Sequence, residues 1–360
     1  TLGNGNNNLG LTESLSAKVT LGEGTNTVGA ATTSLRGLNF SGTGTNTILG
    51  KDLVGGSVTM GAEGKVNKLL ASGLIEGSSI TLNGGQNTVG GAETILKASG
   101  IHGSGAGETV IEAKSMTGGS INLGESNDRV DIFGNIENAS INLGEGVNTL
   151  RNTLGAGQDG SHVGQGSATG NTVSKSNITL SGNTNVYLGY IKTGAKLFGS
   201  GKNNINAATV EDSSLDASGM TDSYIGIGTL KGTGLTATGE STGSIFAGTG
   251  GRVEVNKLVG GGIYDNKGAN TITVGDFGET SSITVGESIY STTVHMNELK
   301  GALSLGNHNY STTSADKITV ADMPYPGTVK IEGVRVDGAG VAAPAVDSSG
   351  FGLGQGEPVG

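Results

Sequence analysis

The chain has 360 residues, a formal net charge of −10, 69 glycines, and neither cysteine nor tryptophan. Lysine and arginine are scattered with no basic stripe, which argues against a nucleic-acid partner. No run of eighteen apolar residues occurs, which argues against a helical membrane span.

Residues 1–150 carry a repeat, and such a repeat governs the reading of everything else. Lys18-Val-Thr-Leu-Gly-Glu-Gly-Thr-Asn-Thr-Val28 returns as Ser79-Ile-Thr-Leu-Asn-Gly-Gly-Gln-Asn-Thr-Val89 and as Ser140-Ile-Asn-Leu-Gly-Glu-Gly-Val-Asn-Thr-Leu150. One polar position marks the register: Asn7, Asn26, Asn46, Asn67, Asn87, Glu108, Asp128 and Asn148, at spacings of 19 to 21 residues. A period near twenty is too short for helical hairpins or propeller blades. It suits an all-β parallel β-solenoid (β-helix) with three short strands per coil and about fifteen coils in the chain. No signal peptide and no initiator methionine are recognisable, and Thr1 to Leu9 already reads as a coil. The chain therefore reads as a mature product or a piece of a longer one.

Strand alternation assigns the faces. Val19 and Leu21 point inward and Thr20 outward; Asn26 and Val28 point inward and Thr27 outward. A third segment supplies Leu35, Val54, Leu74, Met116 and Ile136 to the core. Glycine provides the positive φ angles of the corners. The inward amides Asn26, Asn46, Asn87, Asn148 and Asn270 are expected to form a buried structural ladder that bonds the coils above and below. Outside, Thr27, Thr47, Thr88, Thr149 and Thr271 should form one row, and Thr20, Asn39, Thr59, Thr81, Asn122 and Asn142 another. Threonine favours strands and pairs well across them.

Residues 151–177 break the register and read as an irregular Gly-rich insertion or loop. Less regular coils follow over 178–320, with Asn185, Asn204 and Asp222 continuing the polar position and a second irregular patch at 247–262. All four prolines lie beyond residue 320. Residues 321–360 read as a strand-containing tail and linker. Val329, Ile331, Val334 and Val336 are its candidate assembly strand, able to pair with an exposed sheet edge of another chain.

Sites for chemistry are sparse. His102, His162, His295 and His308 fall at different coil positions, so no metal cluster is expected, and no nucleophile sits in a recognisable elbow. Only thirteen aromatic residues occur, and Tyr187, Tyr190 and Tyr224 read as core filling. The chain is not expected to be an enzyme, and no cofactor is expected apart from calcium at a single corner.

The corner Gly22-Glu-Gly-Thr-Asn-Thr-Val28 resembles the calcium-binding nonapeptide of secreted RTX proteins, GGxGxDxUx. Asparagine stands where that motif needs aspartate, and a neutral amide is a weak ligand for a hard cation. Only Gly124-Glu-Ser-Asn-Asp128-Arg-Val130 keeps the acid, so Glu125 and Asp128 are the candidate ligands for a single calcium ion. The period also differs, since the RTX roll repeats about every eighteen residues. Over roughly residues 1–320 the chain is similar in style to repeat regions of large bacterial surface proteins: adhesins, S-layer proteins and RTX-like or autotransporter solenoids. The resemblance implies export to the cell surface or beyond and a structural or adhesive role. Separately, the unpaired strand edges at uncapped solenoid ends imply self-association or further domains of a longer chain. The alternatives are a carbohydrate-binding or carbohydrate-cleaving β-helix such as a phage tail spike, or an ice-binding solenoid, whose flat Thr/Asn ladders the outer rows resemble.

Overall fold

The computed structural model describes residues 1–11, 14–152, 171–232, 234–235, 241–278 and 280–285. It also describes the strand segments 293–296, 302–305, 308–311, 329–331, 334–335, 342–343 and 346–347. The fold is a parallel β-solenoid of about twelve turns, fewer than the fifteen expected. Two coils are much longer than twenty residues, which accounts for part of the shortfall. Ile136 stacks on Val173 rather than on a residue twenty positions later. Tyr224 likewise stacks on Arg252, and the antiparallel pair Gly234–Leu235 and Ser241–Thr242 lies between them. Among the described residues there is no helix, hence none long and apolar enough to cross a membrane. The chain forms two compact units, the first ending at Leu188 and the second beginning at Gly189.

In the first unit each coil has three short strands, and alternation sets what they bury. Val19, Phe40, Val58, Ile80, Ile101, Ile121, Ile141 and Ile178 stack in register as one inward column. Val28, Ile48, Leu69, Val89, Ile111, Val130, Leu150 and Val186 form a second. Leu35, Leu53, Ile75, Leu96, Met116, Ile136 and Val173 form the third. Leu53 and Ile75, not Val54 and Leu74, are the buried members there, so the sequence assignment was one residue out. In runs such as Asp52-Leu-Val54 and Leu74-Ile-Glu76 adjacent aliphatic residues leave the phase open, and pairing with the neighbouring coils sets it. The stretch 171–177, expected within the insertion, belongs to the stack: Thr172–Ser174 pairs with Ile136–Glu137. Residues 153–170 lie outside the described residues.

The second unit departs from three strands per coil. Its strands Asn204–Glu211, Tyr224–Lys231 and Arg252–Val259 each run for eight residues and do the work of two. The pairing register passes over Ala208, Gly228, Asn256 and Gly275. One extra residue there shifts the inward phase, so Ile205 and Ala207 are buried before it and Val210 after it. The stretch 247–262, expected to be irregular, holds most of an in-register strand, because Arg252–Leu258 pairs with Thr271–Phe277. Near the end of the described chain the direction reverses. Ala302–Leu305 pairs antiparallel with His308–Ser311, and Val329–Ile331 lies between Thr293–Met296 and the antiparallel Val346–Asp347.

Corner geometry leaves some glycines no alternative. Gly90 has φ +78°, and a Cβ there would lie 2.2 Å from the Glu112 carbonyl oxygen of the next coil. Gly55 has a similar φ of +67° but open space around it. Gly55→Ala should therefore cost only the left-handed backbone strain, about 1–2 kcal/mol. Gly90→Ala should cost more, because two coils must also separate. Urea unfolding of both variants checks the ordering.

Candidate functional site

The densest polar chemistry of the first unit lies inside the coil. Asn26, Asn46, Asn67, Asn87 and Asn148 are all buried. Each follows a glycine-containing corner and opens the second strand, where alternation turns it inward. The amides are joined head to tail. Asn7 Nδ2 donates to Asn26 Oδ1 at 2.8 Å, Asn26 Nδ2 to Asn46 Oδ1 at 3.0 Å, Asn46 Nδ2 to Asn67 Oδ1 at 3.1 Å, and Asn67 Nδ2 to Asn87 Oδ1 at 3.2 Å. The same nitrogens also donate to corner carbonyls, as Asn46 does to Gly42 and Gly44 and Asn148 does to Leu143, Gly144 and Glu145.

The ladder changes chemistry after Asn87. Thr109, not Glu108, occupies the next rung, because Asn87 pairs with Thr109; the coil between them is longer by one residue than the sequence period implied. Asp128 follows, its Oδ1 accepting from the Thr109 backbone N–H at 2.8 Å and from the Ser126 hydroxyl at 3.0 Å. The Asp128 N–H in turn donates to Asn148 Oδ1 at 2.8 Å. Thr184, not Asn185, stacks on Asn148. In the second unit Asn203 and Ser223 hold the rung, rather than Asn204 and Asp222: the Asn203 N–H donates to Ser223 Oγ at 2.9 Å. Asn270 also keeps its place, its Oδ1 accepting from the Gly251 N–H and its Nδ2 donating to the Gly248 and Gly268 carbonyls.

Glu125 and Asp128, the candidate calcium ligands, do not share one environment. Glu125 is exposed, while Asp128 is 3% exposed and turned inward. Calcium takes six to eight oxygens, whereas this corner supplies a single buried carboxylate. Among the described residues no three His, Cys, Asp or Glu side chains converge. Burial pushes the Asp128 carboxyl up to about 6, with Glu108 adding to the effect and the hydrogen bonds from Thr109 and Ser126 opposing it.

The outer rows are less uniform than expected. Lys68, Val110 and Arg129 interrupt the row of Thr27, Thr47, Thr88 and Thr149. The other row runs Thr20, Ser41, Thr59, Thr81, His102, Asn122, Asn142 and Thr179, with Ser41 in place of Asn39. A charged network on the outer face escaped the sequence reading. Arg151 holds Asp131 side-on, Nε donating to Oδ1 at 2.7 Å and Nη2 to Oδ2 at 2.8 Å, and Arg129 donates to Glu112 at 2.9 Å. Glu112, Asp131 and Arg151 stack directly on one another; their spacing of 19 and 20 residues, one coil each, was the missed signal. The network is arranged to join coils rather than to do chemistry, since a guanidinium covers each carboxylate. Tyr187, Tyr190 and Tyr224 are half-exposed rather than core residues. The Tyr224 hydroxyl donates to Glu254 at 2.7 Å, and the Lys192 ammonium lies over the Tyr190 ring.

The expected assembly strand has partners within its own chain. Val329 and Ile331 sit on a strand paired along both edges. Val334 pairs with Ala343, and Val336 lies outside the described residues. No protein-family model, curated protein or solved structure matches the chain.

Replacing Asn46 by leucine should test the ladder. It removes the donor to Gly44 and Asn67 and the acceptor for Asn26, leaving buried groups unpaired at a cost of about 3 kcal/mol. Chemical denaturation is the measurement, and an unchanged midpoint would show that the amide bonds are dispensable.

Proposed function

We propose that the protein is an extracellular structural or adhesive β-solenoid, a stiff building block of a surface layer, filament or large adhesin. The observation that carries this reading is the placement of its polar chemistry. Buried amides, the stacked Glu112, Asp131 and Arg151 charges and the corner backbone groups all bind one coil to the next. Stacked coils of this kind resist local opening, because each repeat is held by both neighbours. The similarity in style to surface-protein repeat regions supports export. The natural partner is a second copy or further polypeptide, met through a surface other than the two paired edges of Val329–Ile331.

Carbohydrate binding is the second reading. An open cleft of about 710 Å³ in the first unit is lined by Ile95, Lys114, Phe133, Asn135 and Asn171, combining an aromatic ring with amide and charged groups. The interrupted threonine row weighs against ice binding, which needs a regular flat lattice.

Immunogold labelling of thin-sectioned source cells, with sedimentation of the purified chain across a range of concentrations, tests the first reading. Label on the cell exterior and concentration-dependent polymers are expected. Label confined to the cytoplasm would overturn it. Exterior label with a monomer at every concentration would remove self-assembly and leave attachment to other polypeptide.

A further inference from the structure

Asp128 is the acidic rung in a ladder of neutral ones. At Asn46, Asn87 and Asn148 the side-chain oxygen accepts from the preceding coil and the nitrogen donates to corner carbonyls. Asp128 Oδ1 has the first of these roles, accepting from the Thr109 N–H. Its Oδ2 is thereby left in the place of the amide nitrogen, where every asparagine presents a donor. That oxygen is buried and has no hydrogen-bond partner. A buried acceptor without a donor is costly, and an ionised one more so.

Two species could relieve it, a cation or a proton. The cation needs several further oxygen ligands, and Glu125 points to solvent. The proton needs no room and restores the missing donor as an O–H group. We propose that Asp128 is a proton-binding rung: it completes the ladder as a neutral acid, and its ionisation loosens the coil between Thr109 and Asn148.

The surrounding charges favour the proton. Glu108 on the approach to the preceding rung, Glu125 in the same corner and Glu145 in the following corner are exposed carboxylates. The neighbouring cation, Arg129, is engaged on the outer face by Glu112 and Asp131. Burial accordingly raises the Asp128 carboxyl from 3.8 to about 6. The folded chain then binds the proton more tightly than the unfolded one. Stability from this group is full below the unfolded value, declines as pH rises from about 4 to 6, and is lost above that. The solenoid would thus be firmer in a mildly acidic setting than at neutral pH.

The test uses the intact 360-residue chain. Asp128 carboxyl ¹³C shifts are followed from pH 3.5 to 8, and unfolding of wild type and Asp128→Asn is compared over the same range. A midpoint near 6 is expected. The asparagine variant should be the more stable at pH 7, by an advantage that shrinks about 100-fold in the unfolding equilibrium constant towards pH 3.5. A midpoint below 4.5, or an advantage independent of pH, would overturn the proposal. So would stabilisation of wild type but not Asp128→Asn by calcium chloride, reversed by a chelator, since a metal would then fill the place given to the proton. The carbon titration decides the question even if the variant fails to fold.

Discussion

Coil-to-coil hydrogen bonding in strict register is the constraint on which the rest of this structure depends. A parallel strand has its backbone donors and acceptors satisfied by the coil before and the coil after. That requirement places each side chain directly on its equivalent one coil away. Ile80, Ile101, Ile121 and Ile141 then pack as one column, and any inward polar group must find its partner in the neighbouring coil or in its own corner. The asparagine amide does both, because it carries a donor and an acceptor on one planar group. Thr109 and Asp128 occupy the same column with different chemistry, and the bonding there passes to backbone N–H groups instead.

Steric limits act in the same direction. Phe40 fills space that a larger side chain at Gly42 would need: a Cβ on Gly42 would meet the Phe40 ring at 2.7 Å. In neighbouring coils a Val or Ile is paired with Met60 or Leu82 in the same two places. Volume is thus conserved across the pair, as close packing demands. On the outer face the opposite arrangement holds. Asp131, 2% exposed although it points away from the core, is tolerated because Arg151 binds it through two hydrogen bonds. A fixed guanidinium fork suits that geometry better than a lysine would.

The resulting functional picture is of a molecule whose polar groups face its own neighbours. The proposed structural or adhesive role rests on that placement, and the open cleft beside Phe133 combines aromatic and amide chemistry. Asp128 adds a dependence on acidity to an otherwise neutral ladder, in a fold whose stability is shared between adjacent coils.

Much of this was legible in the sequence, because periodicity is a local property. The twenty-residue spacing identified the solenoid, the alternation in Val19-Thr-Leu21 and Asn26-Thr-Val28 assigned the faces, and the repeated Asn marked the ladder. What the sequence left open were phases that local pattern does not determine. Glu108 and Thr109 are both polar and adjacent, as are Asn203 and Asn204, and Leu53 and Val54 are both aliphatic. Only the pairing with the next coil decides which of each pair turns inward, since a one-residue slip reverses the faces. The tertiary structure also decided the fusion of two strands into one in the second unit, where an extra residue at Ala208 and Gly228 resets the alternation. It decided the fate of the Asp128 carboxyl as well. The residue type was visible from the start, but its burial and the missing donor at Oδ2 exist only once the coils are stacked.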